Sequence, residues 1–234
     1  MGQTMNVALL DNPAWHALSS HHQHLAIKGE TAARYQPDVF LVAALSENKS
    51  TEFHELNALV PLGDMVIVTG SLPTNLIGWE VVLSSATGQM VCEELKHHPQ
   101  RNTITLNAIP LTTTDVPEML DLVRLAQPGP FARRTVEMGH YIGLRENGKL
   151  VAMAGERVHL PGFCEISAIC THPDYRGRGY GTALTTLAAA RIVARQEVPF
   201  LHVLPTNKIA MKLYEQLGFR FRKEMKLTTL KRIA

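Results

Sequence analysis

The run Arg176-Gly177-Arg178-Gly179-Tyr180-Gly181 carries the clearest chemistry in this sequence. It follows an apolar, strand-like stretch and opens a helical one. Successive backbone N–H groups and the positive end of a helix therefore fall in one place, which makes an anion site. The glycines let the backbone approach a pyrophosphate closely, and two guanidinium groups add charge-assisted hydrogen bonds. Taken alone, the run reads equally as a solvated Gly/Arg turn with Arg178 in water. A Walker A loop is excluded, because Thr182 follows Gly181 with no lysine. The dinucleotide fingerprint GxGxxG is not matched by GxGxG, and the acidic Glu197 precedes the next strand instead of ending it.

The elements that must position this loop can be read from periodicity and turn signals. Asp115 is the expected N-cap of a helix with Pro117 and Glu118 in its first turn and Met119, Leu122, Val123 and Ala126 on one face, stopped by Gln127-Pro128-Gly129-Pro130. A hairpin follows, with Glu146-Asn147-Gly148 between Tyr141–Leu144 and Leu150–Ala154. Leu160-Pro161-Gly162 turns the chain into a third strand, Phe163 to Thr171, which leads into the loop. The helix opened by Gly179-Tyr180-Gly181 buries Leu184, Leu187, Ala188 and Ile192, and Pro199 to Leu204 is the next strand, so strand, helix and strand imply a parallel pair. A last helix from Thr206 or Asn207 buries Ala210, Leu213 and Leu217, ends at Gly218, and leads to an alternating segment through Phe219, Phe221, Met225 and Leu227. The whole is a mixed α/β sheet.

Before residue 110 the signals are weaker: one helix, and short strands at Val39–Leu45, Met65–Thr69, Trp79–Leu83 and Thr103–Leu106. A boundary is expected between Ile109 and Thr114, dividing the chain into 1–110 and 111–234. The chain has 234 residues, 45% of them hydrophobic, enough for one large core or two small ones. Lys and Arg number 23 against 21 Asp and Glu, a net charge of +2, which argues against nucleic acid as a partner. No apolar stretch is long enough for a membrane span, and Asn6 stands where a myristoylation signal needs Ser or Thr. Three cysteines without a CxxC pair suggest a reducing, cytoplasmic compartment.

Ile169-Cys170-Thr171-His172-Pro173-Asp174-Tyr175-Arg176-Gly177-Arg178-Gly179-Tyr180-Gly181 resembles motif A of the GNAT N-acetyltransferase superfamily, and Asn207 to Phe219, with its Asn, Ala and LYxxxGF pattern, resembles motif B. The resemblance covers roughly Asp115 to Lys231 and is closest to the glycine N-acyltransferase-like branch. It implies an α/β fold whose mixed sheet splays open between two strands in the C-terminal half, with the N-terminal α/β lobe as a degenerate GNAT-like half. It implies acetyl-CoA, or another acyl-CoA, as cosubstrate, with no metal. Ile169, Cys170 and Thr171 would offer backbone groups to the pantetheine. Arg176, Gly177, Arg178, Gly179, Tyr180, Gly181 and Thr182 would hold the pyrophosphate, with Asn207 and Ala210 further along.

The implied reaction is direct transfer of an acyl group to a small-molecule or peptide primary amine. An amine must be neutral to attack a thioester, the oxyanion needs stabilising and the thiolate must leave. Tyr214 matches the family's tyrosine that protonates sulfur; the alternative is an interfacial aromatic. The spacing of Glu165 before Arg176 resembles that of the general-base glutamate in histone-acetylating members, and alternation places it on the strand face of Ser167, Ile169 and Thr171; the alternative is a solvated strand-edge carboxylate. The oxyanion partner is expected at a backbone N–H near Ala168 to Cys170, at a bulge. His172 and His202 are placed near the cleft, where they could tune the acceptor site, and Cys170 lacks a base to make it a nucleophile.

His21-His22-Gln23-His24 lacks ordinary zinc spacing, and His97-His98 reads as a turn before Pro99. The N-terminal part is expected to shape the acceptor pocket or a homodimer contact. The rival readings are a catalytically silent acyl-CoA sensor, and an interaction protein whose Arg-rich loop touches RNA phosphates.

Overall fold

A computed structural model describes residues 6–96 and 107–234. The expected strand at Thr103–Leu106 and the turn at His97-His98 lie outside the described residues.

Among the described residues, eight strands form one sheet. β4 is Met65–Thr69, β5 Trp79–Val91, β6 Ile109–Leu111, β7 Tyr141–Glu146, β8 Lys149–Leu160, β9 Phe163–Thr171, β10 Val198–Val203 and β11 Arg220–Arg232, in the spatial order β4-β11-β5-β10-β9-β8-β7-β6. Among the described strands of this sheet, β9 and β10 are the parallel pair, as the intervening helix requires. A smaller antiparallel sheet joins β1 (Ala26–Lys28), β2 (Ala32–Tyr35) and β3 (Ala43–Leu45). The helices are α1 (Pro13–Leu18), α2 (Ser50–Leu59), α3 (Val116–Ala126), α4 (Tyr180–Ala194) and α5 (Lys208–Gln216). Among the described residues, no helix is long and apolar enough to cross a membrane.

The eight-stranded sheet runs across the boundary expected near residue 110. β5, from the first part of the chain, lies between β10 and β11, and β6 extends the hairpin of β7 and β8. The segment Val39–Leu45 is a strand only from Ala43 onward, because the turn at residues 37–39 takes its beginning out of extended geometry. The strand expected over Trp79–Leu83 continues to Val91, where its buried end is paired on both sides.

Each helix covers a sheet face with the stripe its sequence supplies. α4 lays Leu184, Ala188, Ala189 and Ile192 against Ile166, Leu201 and Phe219. On the opposite face α1 places Ala14, Ala17 and Leu18 against Phe163 and Phe200. α3 packs Met119 and Leu122 on Tyr141, Leu150 and Met153, and Gln127 ends it in the left-handed region at φ +51°.

Candidate active site

β9 and β10 pair over Phe163–Val198, Cys164–Pro199 and Glu165–Phe200 and then separate, so the cleft is a gap opened within the sheet. A distortion in β9 accompanies it. Ser167 pairs with Gly155 and Cys170 with Met153, which leaves Ala168 and Ile169 opposite the single residue Ala154. This is a β-bulge, with Ala168 at φ +52° in the left-handed region that an L-residue enters at a cost of about 1 kcal/mol. The bulge lies where one was expected.

The bulge also reverses the alternation of the strand. Before it, Phe163 packs toward α1 while Cys164 and Ile166 pack toward α4; after it, Ile169 joins the α4 side and Ala168 and Cys170 join the α3 side. Glu165 therefore does not share a face with Ile169 and Thr171 as plain alternation implied. It lines a different cavity.

The first cavity, of about 370 Å³, is lined by Ile169, Cys170, Thr171, Arg176, Gly181, Asn207, Ala210 and Tyr214, with Ala126 and Leu213 completing it. Eight of the expected site residues thus meet in one place. The remaining loop residues stand around it. Gly177 and Gly179 take φ +78° and +79°, conformations that shape the loop and suit glycine. The Arg178 guanidinium lies 4.7 Å from the centre of the Tyr175 ring, leaving Arg176 as the loop's arginine in the cavity wall. The Tyr180 hydroxyl donates to Glu146 at 2.6 Å, and Thr182 is buried in the first turn of α4. The N-cap of α4 is Gly179, which has no side chain to cap it, so among the described residues the first turn of this helix carries no side-chain cap. Asn207 caps α5 by accepting from the Ala210 N–H at 3.1 Å.

Tyr214 is 8% exposed and packs against Phe219, with 6.0 Å between ring centres. Burial pushes its phenol up to about 12, so it is a protonated group at neutral pH, able to give a proton. Burial likewise raises the Cys170 thiol to about 12, which keeps it un-ionised.

The second cavity, of about 260 Å³, is mostly apolar. The N-terminal part supplies Pro13, Ala14, Phe40, Val42 and Ile67 to its wall, and residues Gln127 to Pro130 cover one side. Ala126 lines the first cavity and Gln127 the second, so the end of α3 separates the two. Arg157, Glu165 and His202 are its charged and titratable groups.

Glu165 is 1% exposed, which removes the alternative of a solvated carboxylate. Arg157 grips it through Nε at 2.9 Å and Nη2 at 2.8 Å, and His202 Nδ1 lies 2.8 Å from its Oε1. Burial opposes its charge, yet the Arg157 guanidinium and the hydrogen bonds from His202 and Arg157 hold its carboxyl well below the usual range. Arg157 in turn lies 4.7 Å from the centre of the Phe40 ring. Sequence reasoning missed Arg157, although a lone arginine in the apolar run of β8 was a signal. A second register shift sets it beside Glu165 across the hairpin.

His21, His159 and Glu197 bring potential ligand atoms within 4.8 Å of one another. The two imidazoles are stacked, 4.2 Å apart and 25° from parallel, so their in-plane lone pairs do not converge on one ion. Glu197 already receives His159 at 2.6 Å and Arg195 at 3.2 Å. His22 is buried between the Tyr35 hydroxyl and the Met138 carbonyl, at 2.9 and 3.0 Å.

Residues 141–227 match the family model described as FR47-like protein. A solved structure from Novosphingobium aromaticivorans, described as an acetyltransferase of the GNAT family, is 32% identical over 96% of this chain and 99% of its own, with a TM-score of 0.84. The chain belongs to the GNAT family. Two more distant members share its fold over nearly the whole length. A GCN5-related N-acetyltransferase from Kribbella flavida is 16% identical over 94% of this chain and 96% of its own, at a TM-score of 0.59. A GCN5-related N-acetyltransferase-like protein from Streptococcus suis is 14% identical over 97% and 96%, at 0.58. No curated protein shows a significant match to the sequence. In this GNAT member Arg176 and Gly181 of the loop line one cavity with Asn207, Ala210 and Tyr214, beside the end of β9 that has parted from β10.

Proposed function

We propose that this protein transfers an acyl group, acetyl in the first instance, from acyl-CoA directly to a primary amine. The observation that carries the reading is the parting of β9 and β10 after Glu165 and Phe200, with a polar-rimmed cavity on the α4 side and an apolar one on the other face.

On this reading the coenzyme lies in the first cavity, which fits it chemically. The exposed edge of β9 at Ile169 to Thr171 offers hydrogen-bonding backbone to the pantetheine, while Arg176 and the uncapped first turn of α4 receive the pyrophosphate. Gly177, Arg178, Gly179, Tyr180, Gly181 and Thr182 form the loop that presents those groups, and Asn207 and Ala210 bound the cavity further along. The bulge at Ala168 takes a backbone N–H out of the ladder, next to where a thioester carbonyl would develop charge. Tyr214 gives its proton to the departing thiolate.

The amine enters by the second cavity. Its apolar wall favours an acceptor with a small apolar body, either a small molecule or a peptide end, and its polar end at Glu165 and His202 meets the amino group. We further propose a reducing, cytoplasmic setting, supported by three free, buried cysteines, and a homodimer as the assembly to test.

The test is to incubate the protein with acetyl-CoA and a panel of primary amines, alkylamines, amino acids and short peptides, following free thiol and product mass. Amine-dependent thiol release with a matching acetyl mass gain is expected. Binding of acetyl-CoA with no release for any amine would contradict transfer.

A further inference from the structure

The protonation of His202 can be read from the amide that faces it. Both ends of the Gln89 side chain are claimed: Oε1 accepts from Arg222 Nη1 at 3.0 Å, and Nε2 donates to the Leu10 carbonyl at 2.9 Å. A guanidinium only donates and a carbonyl only accepts, so the amide has one orientation. Its second N–H lies between His202 Nε2 and Met225 Sδ, each at 3.3 Å. His202 Nε2 therefore carries a lone pair, and the ring proton sits on Nδ1, donating to Glu165 Oε1 at 2.8 Å.

Glu165 is poorly placed to take a proton itself. Both of its oxygens are held by Arg157, one is shared with His202, and it is almost fully buried. His202 stands in the cavity wall, and the contact on its Nε2 lone pair is long and shared with Met225.

We propose that His202 is the group that deprotonates the acceptor amine, and that Glu165, fixed by Arg157, is the positioning residue that orients the ring and stabilises its cation. The proposal rests on the acyl-transfer reading above and deepens it. The acceptor ammonium gives one proton to His202 Nε2, and the freed nitrogen pair forms a C–N bond to the thioester carbonyl carbon. The C–S bond breaks, the sulfur takes a proton from Tyr214, and the resulting phenolate recovers one from the amide nitrogen. His202 then releases its proton to solvent, so amide, thiol and one proton leave. The charged groups around the ring are Glu165 from β9, Arg157 behind it from β8, and Arg222 from β11 through the β5 residue Gln89; Tyr35 from β2 lies within the field of Glu165.

The first arm of the test is NMR on protein carrying 15N-labelled histidine, with the His202 signals assigned by their loss in His202→Gln. A proton on Nδ1 and none on Nε2 at neutral pH is expected; the reverse tautomer would overturn the proposal. The second arm measures kcat/KM against pH with acetyl-CoA and the best amine of the panel. His202→Gln should lose about 100-fold or more and the low-pH limb with it, while keeping the melting shift given by acetyl-CoA. Glu165→Gln should move that limb to lower pH, because the imidazolium loses its carboxylate, and Glu165→Asp, which keeps the charge, should restore it. A His202→Gln variant with the parent's rate and limb would overturn the proposal. A parent with no melting shift in acetyl-CoA would instead overturn the acyl-transfer reading beneath it.

Discussion

Glu165 Oε1 lies 2.8 Å from His202 Nδ1 at the point where β9 and β10 stop pairing. The two side chains join the strands at and just beyond their last backbone pair, Glu165–Phe200, and they do so on the face of the sheet away from α4. The gap on the α4 side and the polar end of the apolar cavity therefore share one structural origin.

Tyr214 is expected to act in the chemical step alone. Removing its hydroxyl in Tyr214→Phe should lower kcat by about 100-fold or more and leave the Kd for acetyl-CoA almost unchanged. Steady-state kinetics combined with a binding titration checks this, and an unaltered kcat would take Tyr214 out of the mechanism.

Arg176 is the loop arginine that lines the first cavity, whereas Arg178 is stacked on Tyr175. Arg176→Ala should weaken CoA by roughly 10- to 100-fold, the usual worth of a charge-assisted contact, and weaken a CoA fragment lacking the 3′,5′-ADP portion much less. Arg178→Ala should cost less than Arg176→Ala. Calorimetric titration of both ligands separates the cases, and equal losses for both would contradict the pyrophosphate assignment.

Gly218, which follows α5, sits at φ +102°, and a methyl group there would stand 2.1 Å from the Glu94 carbonyl oxygen. Gly218→Ala combines a left-handed backbone with a clash against main chain, and should cost roughly 3 kcal/mol in urea unfolding. A loss under half of that would mean the turn relaxes freely.

His22 gives a pH-dependent stability. Burial lowers its folded pKa from the ordinary 6.5 to about 4, with Nε2 donating to Met138 and Nδ1 accepting from Tyr35. Because the unfolded chain binds the proton first, this contribution is complete above pH 6.5 and is lost as pH falls toward 4, by about 3 kcal/mol in all. Urea unfolding across that window should show a shallower pH slope for His22→Gln than for the parent. Identical slopes would show that His22 is not buried as a neutral ring.

What could be read from the sequence were the features with local signals. Asn147-Gly148 and Pro161-Gly162 marked both turns of the β7-β8-β9 meander, and Asn207 and Gly218 bracketed α5. The insertion of β5 between β10 and β11 was not legible. Its outer half, Glu80 to Ser85, is exposed, and pairing across more than a hundred residues leaves no local pattern. The bulge was expected from the resemblance, but its effect on Glu165 was not, since Ser167-Ala168-Ile169 contains no glycine to mark a change of face. The Arg157–Glu165 pair depends on a register shift in β8 that only three-dimensional pairing reveals.

The most direct test of the central claim is a melting-curve titration of the parent protein with acetyl-CoA, CoA and longer acyl-CoAs. A ligand at about 100 times its Kd adds roughly 2.7 kcal/mol to the folded state, enough for a clear rise in Tm. The account predicts such a rise with acetyl-CoA and a smaller one in Arg176→Ala. No rise with any acyl-CoA at millimolar concentration would contradict it.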